Sequence, residues 1–102
     1  MGERKINLSE KADEDLREIF NYVSENSLSA ALAKVDLILA RIELLKNFPR
    51  LGRVVQHFKN ERLREILAGS YRIAYYVVSD EQIDILSIQH SARPIDFNFS
   101  DE

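Results

Sequence analysis

The spacing of apolar residues in the first half of the chain predicts two helices. In LSEKADEDLREIFNYV, apolar residues recur every three or four positions behind Ser9, a good N-cap that four acidic residues follow. A second helical pattern runs from about Ser29, another N-cap candidate, to about Phe48, where Pro49 ends it. The polar link at 24–27 is too short for anything but antiparallel neighbours, so we expect a helix hairpin.

The pattern changes to that of strands in the second half. The runs RLREILAG, SYRIAYYVVS and QIDILSIQH are rich in β-branched and aromatic residues and are separated by turn formers. They predict consecutive antiparallel strands, and the middle run, which is apolar on both faces, predicts a central strand. Strict alternation in the last run places Ile88 and His90 on the face opposite to Ile83. With a short extended segment, Lys5 to Leu8, before the helices, the predicted fold class is α+β: a helix hairpin packed on a small antiparallel sheet.

Length and composition indicate one domain. A chain of 102 residues with 45% hydrophobic residues can bury one modest core, so we expect a single domain over 1–102 with a tail from about Pro94. The chain has no cysteine, and its two histidines come without further ligands at suitable spacing. We therefore expect no metal and no cofactor, and a solvated His57. The charged N-terminus and the lack of a long apolar run predict a cytoplasmic protein with no membrane partner.

The net charge of −3 hides an uneven distribution. Residues 49–78 carry six Lys and Arg against two acidic residues, whereas residues 79–102 carry one against six. A basic middle between acidic ends could present a surface for phosphate or for an acidic partner. An ordinary solvated loop and strand remains an equal alternative.

An ordered set of motifs gives this chain a family resemblance. P-x-x-G-R at 49–53, RE at 64–65, YRI-x-Y at 71–75 and H-x-x-R at 90–93 follow the long helix hairpin. Together they resemble the ParE/RelE superfamily of type II toxin–antitoxin toxins, and most closely its ParE-like, plasmid-stabilisation branch. The resemblance implies a small intracellular toxin that a cognate antitoxin neutralises. ParE-like toxins bind and poison DNA gyrase, whereas RelE-like toxins cut messenger RNA in the ribosomal A site.

The two activities give the candidate residues different roles. If the protein is a gyrase poison it is not an enzyme, and its predicted recognition surface consists of Arg53, Arg62, Arg64, Arg72 and Arg93. If it is an endoribonuclease, it needs an acid or base and cationic groups, for which His90, Arg64 and Arg72 are the candidates. A strand-end histidine bonded to the backbone and arginines lying across the sheet are the structural alternatives. Lys59 is the only lysine between 49 and 78, which favours the binding toxin over a lysine-rich nuclease. An interaction module without toxicity is a third possibility.

The outer edge of the hairpin is the predicted antitoxin surface. Phe20, Tyr22 and Leu28 could receive an antitoxin helix, and the outermost strand could be extended by an antitoxin segment.

Overall fold

The computed structural model describes residues 4–56 and 58–94, so His57 and the tail beyond Pro94 lie outside the described residues. In chain order the elements are β1 (Lys5–Leu8), α1 (Glu10–Ser24), α2 (Leu28–Leu44), β2 (Arg53–Val54), β3 (Leu63–Ala68), β4 (Tyr71–Ser79) and β5 (Gln82–His90). The two helices pack on one five-stranded sheet, which confirms the predicted α+β class. Neither helix combines the length and the apolarity needed to cross a membrane, as far as the described residues go.

The sheet is mixed. Its strand order is β1-β5-β4-β3-β2, with β4 at the centre as predicted. β1 pairs parallel with β5, whereas the other neighbours are antiparallel, so the expectation of a wholly antiparallel sheet is corrected. Alternation along a strand tells which residues share a face but not the direction of the neighbouring strand. The two-residue β2, which pairs with Glu65 and Arg64 of β3, was not predicted either.

Serine side chains cap both helices. Ser9 accepts a hydrogen bond from the Ala12 amide at 3.0 Å, which confirms the first predicted cap. The second cap is Ser27 rather than Ser29: Ser27 has the extended backbone that a cap requires and accepts from the Ala30 amide at 3.1 Å. Ser29 instead lies in the first turn of α2, which therefore begins two residues earlier than expected from the sequence.

The core lies between the helix pair and one face of the sheet. It unites the apolar stripes of α1 and α2 with inward residues of β3, β4 and β5: Ala12, Ile38, Ile42, Leu45, Ile66, Ala68, Ile73, Tyr75, Ile83, Ile85 and Ile88. Burying these side chains removes most of their apolar surface from water, at roughly 25 cal/mol per Å². The core thus explains the apolar positions in both halves of the sequence.

A β-bulge in β5 changes the orientation of its last residues. Ala74 pairs with Ser87 but Tyr75 pairs with Ile85, which leaves Leu86 as an extra residue in β5. As a result Ile88 is buried in the same core as Ile83 and Ile85, and the predicted strict alternation is wrong beyond the bulge. His90, two residues after Ile88, therefore lies on the helix side of the sheet.

The first turns of α1 bind the outer edge of β5 at this bulge. β1 ends beside Ile85, and beyond that point the Ile88 amide donates to Asp15 Oδ2 at 2.9 Å. The Ser9 hydroxyl donates to the Leu86 carbonyl at 3.0 Å. Lys11 Nζ lies 3.0 Å from both Asp15 oxygens. These contacts satisfy backbone groups that the sheet leaves without a partner strand.

Asp15→Ala is expected to destabilise the protein by about 2 kcal/mol, because a partly buried amide loses a charged acceptor and Lys11 loses its ion pair. Urea denaturation followed by circular dichroism measures the change. Asp13→Ala is the matched control on the same helix: its pair with Arg17 is exposed, so we expect a loss of about 0.5 kcal/mol or less. Equal losses in the two variants would show that the contact to β5 contributes nothing.

Candidate functional site

Three of the sequence motifs meet in one hydrogen-bonded cluster, here called the Tyr75 network, which consists of Pro49, Gly52, Arg53, Arg64, Glu65 and Tyr75. The Tyr75 hydroxyl donates to the Pro49 carbonyl at 2.8 Å and accepts from the Gly52 amide at 2.9 Å. One side chain on the central strand thus holds both ends of the turn between α2 and β2. The P-x-x-G-R segment is therefore hydrogen-bonded to the sheet through the Tyr75 side chain.

The Arg64-Glu65 pair completes the network from both faces of β3. Arg64 Nη1 donates to the Gly52 carbonyl at 2.8 Å, and its Nε donates to the Glu61 carbonyl at 2.8 Å. On the other face Arg53 Nε and Nη2 donate to one Glu65 oxygen at 3.1 and 2.9 Å. The Glu65 carboxylate is buried, and this pairing makes its burial tolerable. As the sequence predicts for adjacent strand residues, Arg64 and Glu65 do not pair with each other.

The interior position of Tyr75 sets its protonation state. Burial raises the pKa of the Tyr75 hydroxyl, while the hydrogen bond from Gly52 and the positive charge of Arg64 lower it in part. The net result is a pKa above the ordinary value for tyrosine. Tyr75 is therefore a neutral phenol at physiological pH and can donate to Pro49.

Four of the five predicted recognition arginines bond to their own chain. Besides Arg53 and Arg64 in the Tyr75 network, Arg62 donates to the Val78 carbonyl at 3.1 Å. Arg72 donates to the Ser91 carbonyl at 3.1 Å and also to the carbonyl of Arg93. The Arg93 guanidinium makes no hydrogen bond or ion pair within the residues that the structure describes. Arg72 thus ties the segment after β5 to the sheet.

His90 lies exposed at the end of β5. Its Nδ1 accepts from the Ala92 amide at 3.1 Å, and its ring meets the edge of the Tyr71 ring with centroids 5.8 Å apart. A groove of about 570 Å³ between α1 and this end of the sheet is lined by Asp15, Glu18, Tyr22, Tyr71, His90 and Arg93. The hydrogen bond of His90 is to a backbone amide, whereas the alternative expected from the sequence was a bond to a backbone carbonyl or to the tail.

The three residues proposed for catalysis are not close together. His90 pairs with Tyr71, whereas Arg64 pairs with Tyr75, four residues further along β4 and so about 13 Å away along the strand. Arg72 follows Tyr71 directly and points to the opposite face of the sheet from His90. No single bound phosphate could therefore contact His90, Arg64 and Arg72 in this arrangement.

Sequence reasoning missed the roles of Gly52, Glu65 and Tyr75. Tyr75 is fully buried in the core, and the sequence assigned no partner to its hydroxyl. A tyrosine in the middle of the central strand was the available signal, since a buried hydroxyl needs a hydrogen-bond partner. Which segment supplies that partner depends on tertiary contacts across 23 and 26 residues of sequence.

Comparison with known proteins places the chain among the toxins of type II toxin–antitoxin systems. The family model described as "ParE toxin of type II toxin-antitoxin system, parDE" matches residues 6–95, and the chain belongs to this family. No curated protein matches the sequence.

Solved structures agree with this class. A chromosomal ParDE toxin–antitoxin system from P. aeruginosa superposes with a TM-score of 0.68 at 21% identity, over 85% of this chain and 95% of that one. A mutant of E. coli toxin RelE in the free state gives 0.63 at 15% identity, over 89% and 86%. The toxin–antitoxin complex RelBE2 from Mycobacterium tuberculosis gives 0.56 at 17% identity, over 87% and 99%. These similarities establish the fold that the ParE and RelE proteins share.

Proposed function

We propose that this toxin acts in the cytoplasm by binding DNA gyrase, as a ParE-like poison, and that a cognate antitoxin neutralises it. The observation that carries the proposal is the separation of His90, Arg64 and Arg72 in the sheet. On this proposal the toxin performs no covalent chemistry of its own.

The demands of RNA cleavage support the same conclusion. Attack by a 2′-hydroxyl requires a base, an acid and cationic groups within hydrogen-bond reach of one phosphate. His90 Nδ1 accepts a hydrogen bond from the Ala92 amide, and Arg72 donates to two backbone carbonyls. The other ring nitrogen and the remaining guanidinium donors could still bind a ligand, but they are too far apart to act on one phosphate.

The arginines remain available to a protein partner. A guanidinium has five N–H donors, and each of the four bonded arginines uses at most two of them within the described residues. Arg53 is 74% exposed despite its bonds to Glu65. We propose that Arg53, Arg62, Arg64, Arg72 and Arg93 contribute to recognition. Bonds to their own chain hold the first four in position, whereas the Arg93 guanidinium makes none in the described residues. Arg64 lies on the helix side of the sheet, and Arg53 and Arg72 lie on the other side.

The alternative is a RelE-like, ribosome-dependent endoribonuclease. One observation favours it: His90 lies in an open groove together with Arg93 and Tyr71. A base and a cation at one place are part of what the reaction requires. In that case Arg93 rather than Arg64 would be the cation nearest to His90.

For the antitoxin we propose the outer edge of the hairpin. Tyr22 is 74% and Leu28 is 59% exposed, whereas Phe20 is partly buried and lines a separate groove with Leu16 and Val35. Exposed apolar side chains of this size on a helix pair suit the apolar face of a partner helix.

His90→Ala separates the two activities. We expect the purified variant to inhibit gyrase supercoiling within about twofold of the wild type, because an exposed ring with one backbone contact contributes little to a binding surface centred on arginines. The same proteins are assayed for messenger RNA cleavage on translating ribosomes. Codon-linked cuts by the wild type, lost by a factor of about 10² or more in a folded His90→Ala protein, would refute the gyrase proposal.

A further inference from the structure

One side of α2 carries a row of exposed apolar residues that continues into the turn after the helix. We call it the α2 strip and define it by Leu37, Arg41, Leu44, Phe48, Arg50 and Leu51. Leu37 lies beside the β3–β4 turn, where a Cβ on Gly69 would be 3.2 Å from its Cδ2. The strip therefore borders the sheet on the side of β3.

Helical geometry makes these residues neighbours. Leu37, Arg41, Leu44 and Phe48 follow each other at intervals of four, three and four, which places them on one face. The Phe48 amide donates to the Leu44 carbonyl at 3.0 Å, so this spacing persists past the end of α2. The Leu51 amide then donates to the Phe48 carbonyl at 3.0 Å. From Leu37 to Phe48 the row is about 16 Å long.

The apolar side chains of the α2 strip are exposed to solvent, and this exposure does not contribute to the stability of the fold. Leu37 is 44%, Leu44 42%, Phe48 58% and Leu51 49% exposed. Single exposed leucines are common on protein surfaces, but a contiguous row with an aromatic residue is characteristic of an interaction site. The row is thus a candidate contact for another molecule.

Two arginines in the strip give the contact a charge preference. Arg41 and Arg50 are exposed and make no hydrogen bond or ion pair in the described part of the chain, unlike Arg53, Arg62, Arg64 and Arg72. A segment that fits the strip would therefore carry carboxylates beside apolar side chains.

The Tyr75 network holds the end of the strip in a fixed conformation. Arg50 and Leu51 lie between Pro49 and Gly52, and both of those residues are bonded to the Tyr75 hydroxyl. Fixing a loop before association lowers the entropy cost of binding. Arginine and aromatic residues on such a fixed surface have the composition of a binding hot spot.

We propose that the α2 strip binds an acidic segment of the target protein that presents apolar side chains on one face. The inference rests on the proposed function, in which that target is DNA gyrase. Leu28, at the edge proposed for the antitoxin, is nine residues before Leu37, the nearest residue of the strip, which places it about 14 Å away along α2 and on the opposite side of the helix. The two surfaces are therefore separate.

The test measures inhibition of gyrase supercoiling by purified variants. Phe48→Ala is expected to raise the half-inhibitory concentration about 30-fold, the effect of losing a hot-spot side chain. The double variant Arg41→Glu and Arg50→Glu, whose side chains make no bonds within the described residues, is expected to raise it at least about tenfold. Two controls should stay within about twofold: Lys5→Glu on β1 at the opposite edge of the sheet, and Leu39→Ala on another face of α2.

The outcomes separate the strip from the proposed function. Thermal unfolding and circular dichroism must match the wild type; the charge-reversed double variant remains informative if Phe48→Ala unfolds. If the wild type inhibits gyrase and the strip variants are equally potent, the strip proposal alone is overturned. An equal loss of inhibitory potency in both control variants has the same consequence. A folded wild type that leaves gyrase uninhibited overturns the proposed function and, because the strip proposal names that target, the strip proposal as well.

Discussion

Gly52→Ala is expected to lower the free energy of unfolding by about 3 kcal/mol. An added Cβ would lie 2.5 Å from the Glu65 carbonyl oxygen and 2.8 Å from Ile66 Cγ2, and a backbone oxygen cannot move aside as a flexible side chain can. The turn would have to shift, which breaks the Gly52 bonds to Tyr75 and Arg64. Urea denaturation measures the loss.

Gly69→Ala is the matched comparison. Gly69 has a φ of 60°, which is unfavourable for alanine, but its nearest atom would be the flexible Leu37 Cδ2 at 3.2 Å. We expect a cost of about 1 kcal/mol, that of a single residue in the left-handed region. If Gly52→Ala cost no more than Gly69→Ala, the close approach of this turn to β3 would not matter for stability.

Tyr75→Phe is expected to destabilise the protein by about 2 to 3 kcal/mol. It preserves the ring in the core but removes the partner of the Pro49 carbonyl and of the buried Gly52 amide, and each buried group left without a partner costs about 1 to 3 kcal/mol. Tyr22→Phe, at a side chain that is 74% exposed, is the control and should be neutral. A neutral Tyr75→Phe would mean that the hydroxyl does not hold the turn.

The raised pKa of Tyr75 predicts a loss of stability at high pH. Because burial raises the pKa of Tyr75, the unfolded chain releases the tyrosine proton at a lower pH than the folded one. The stabilising contribution of the neutral Tyr75 hydroxyl is fully present below the unfolded-state pKa of about 10. It is lost as the pH rises through the folded-state pKa. In that window the wild type should lose up to about 1.4 kcal/mol per pH unit more than Tyr75→Phe. Parallel slopes in the two proteins would contradict this assignment.

Local sequence patterns were sufficient to predict the elements in which apolar residues recur at regular intervals. The helix hairpin, the Ser9 cap and the central position of β4 all follow from apolar spacing and from capping chemistry within a few residues. Local patterns could not predict the parallel pairing of β1, the two-residue β2 or the bulge at Leu86, because each depends on a partner that is distant in sequence. The bulge matters most for the site, since it turns His90 toward the helices.

The candidate residues were found from their residue types and from the family resemblance, but their hydrogen-bond partners could not be predicted from the sequence. Nothing in the order of residues shows that Arg64 bonds the Gly52 carbonyl or that Arg72 bonds carbonyls after β5. A guanidinium on a strand looks the same in the sequence whether it faces solvent or a carbonyl of its own chain. The distinction between Arg64 and Arg50, which has no such bond to any residue that the structure describes, therefore required the structure.

The position of β5 between β1 and β4 has a consequence for how the protein folds as it is made. β5 is the last strand among the described residues, and the Ser9 contact to Leu86 spans 77 residues. At about 5 to 20 residues per second, the ribosome takes roughly 4 to 15 seconds to synthesise the interval between these two residues. During that time β1 has no neighbour and β4 lacks one edge, so the nascent chain cannot form its finished sheet. Any surface that depends on this sheet therefore forms only after β5 has been synthesised.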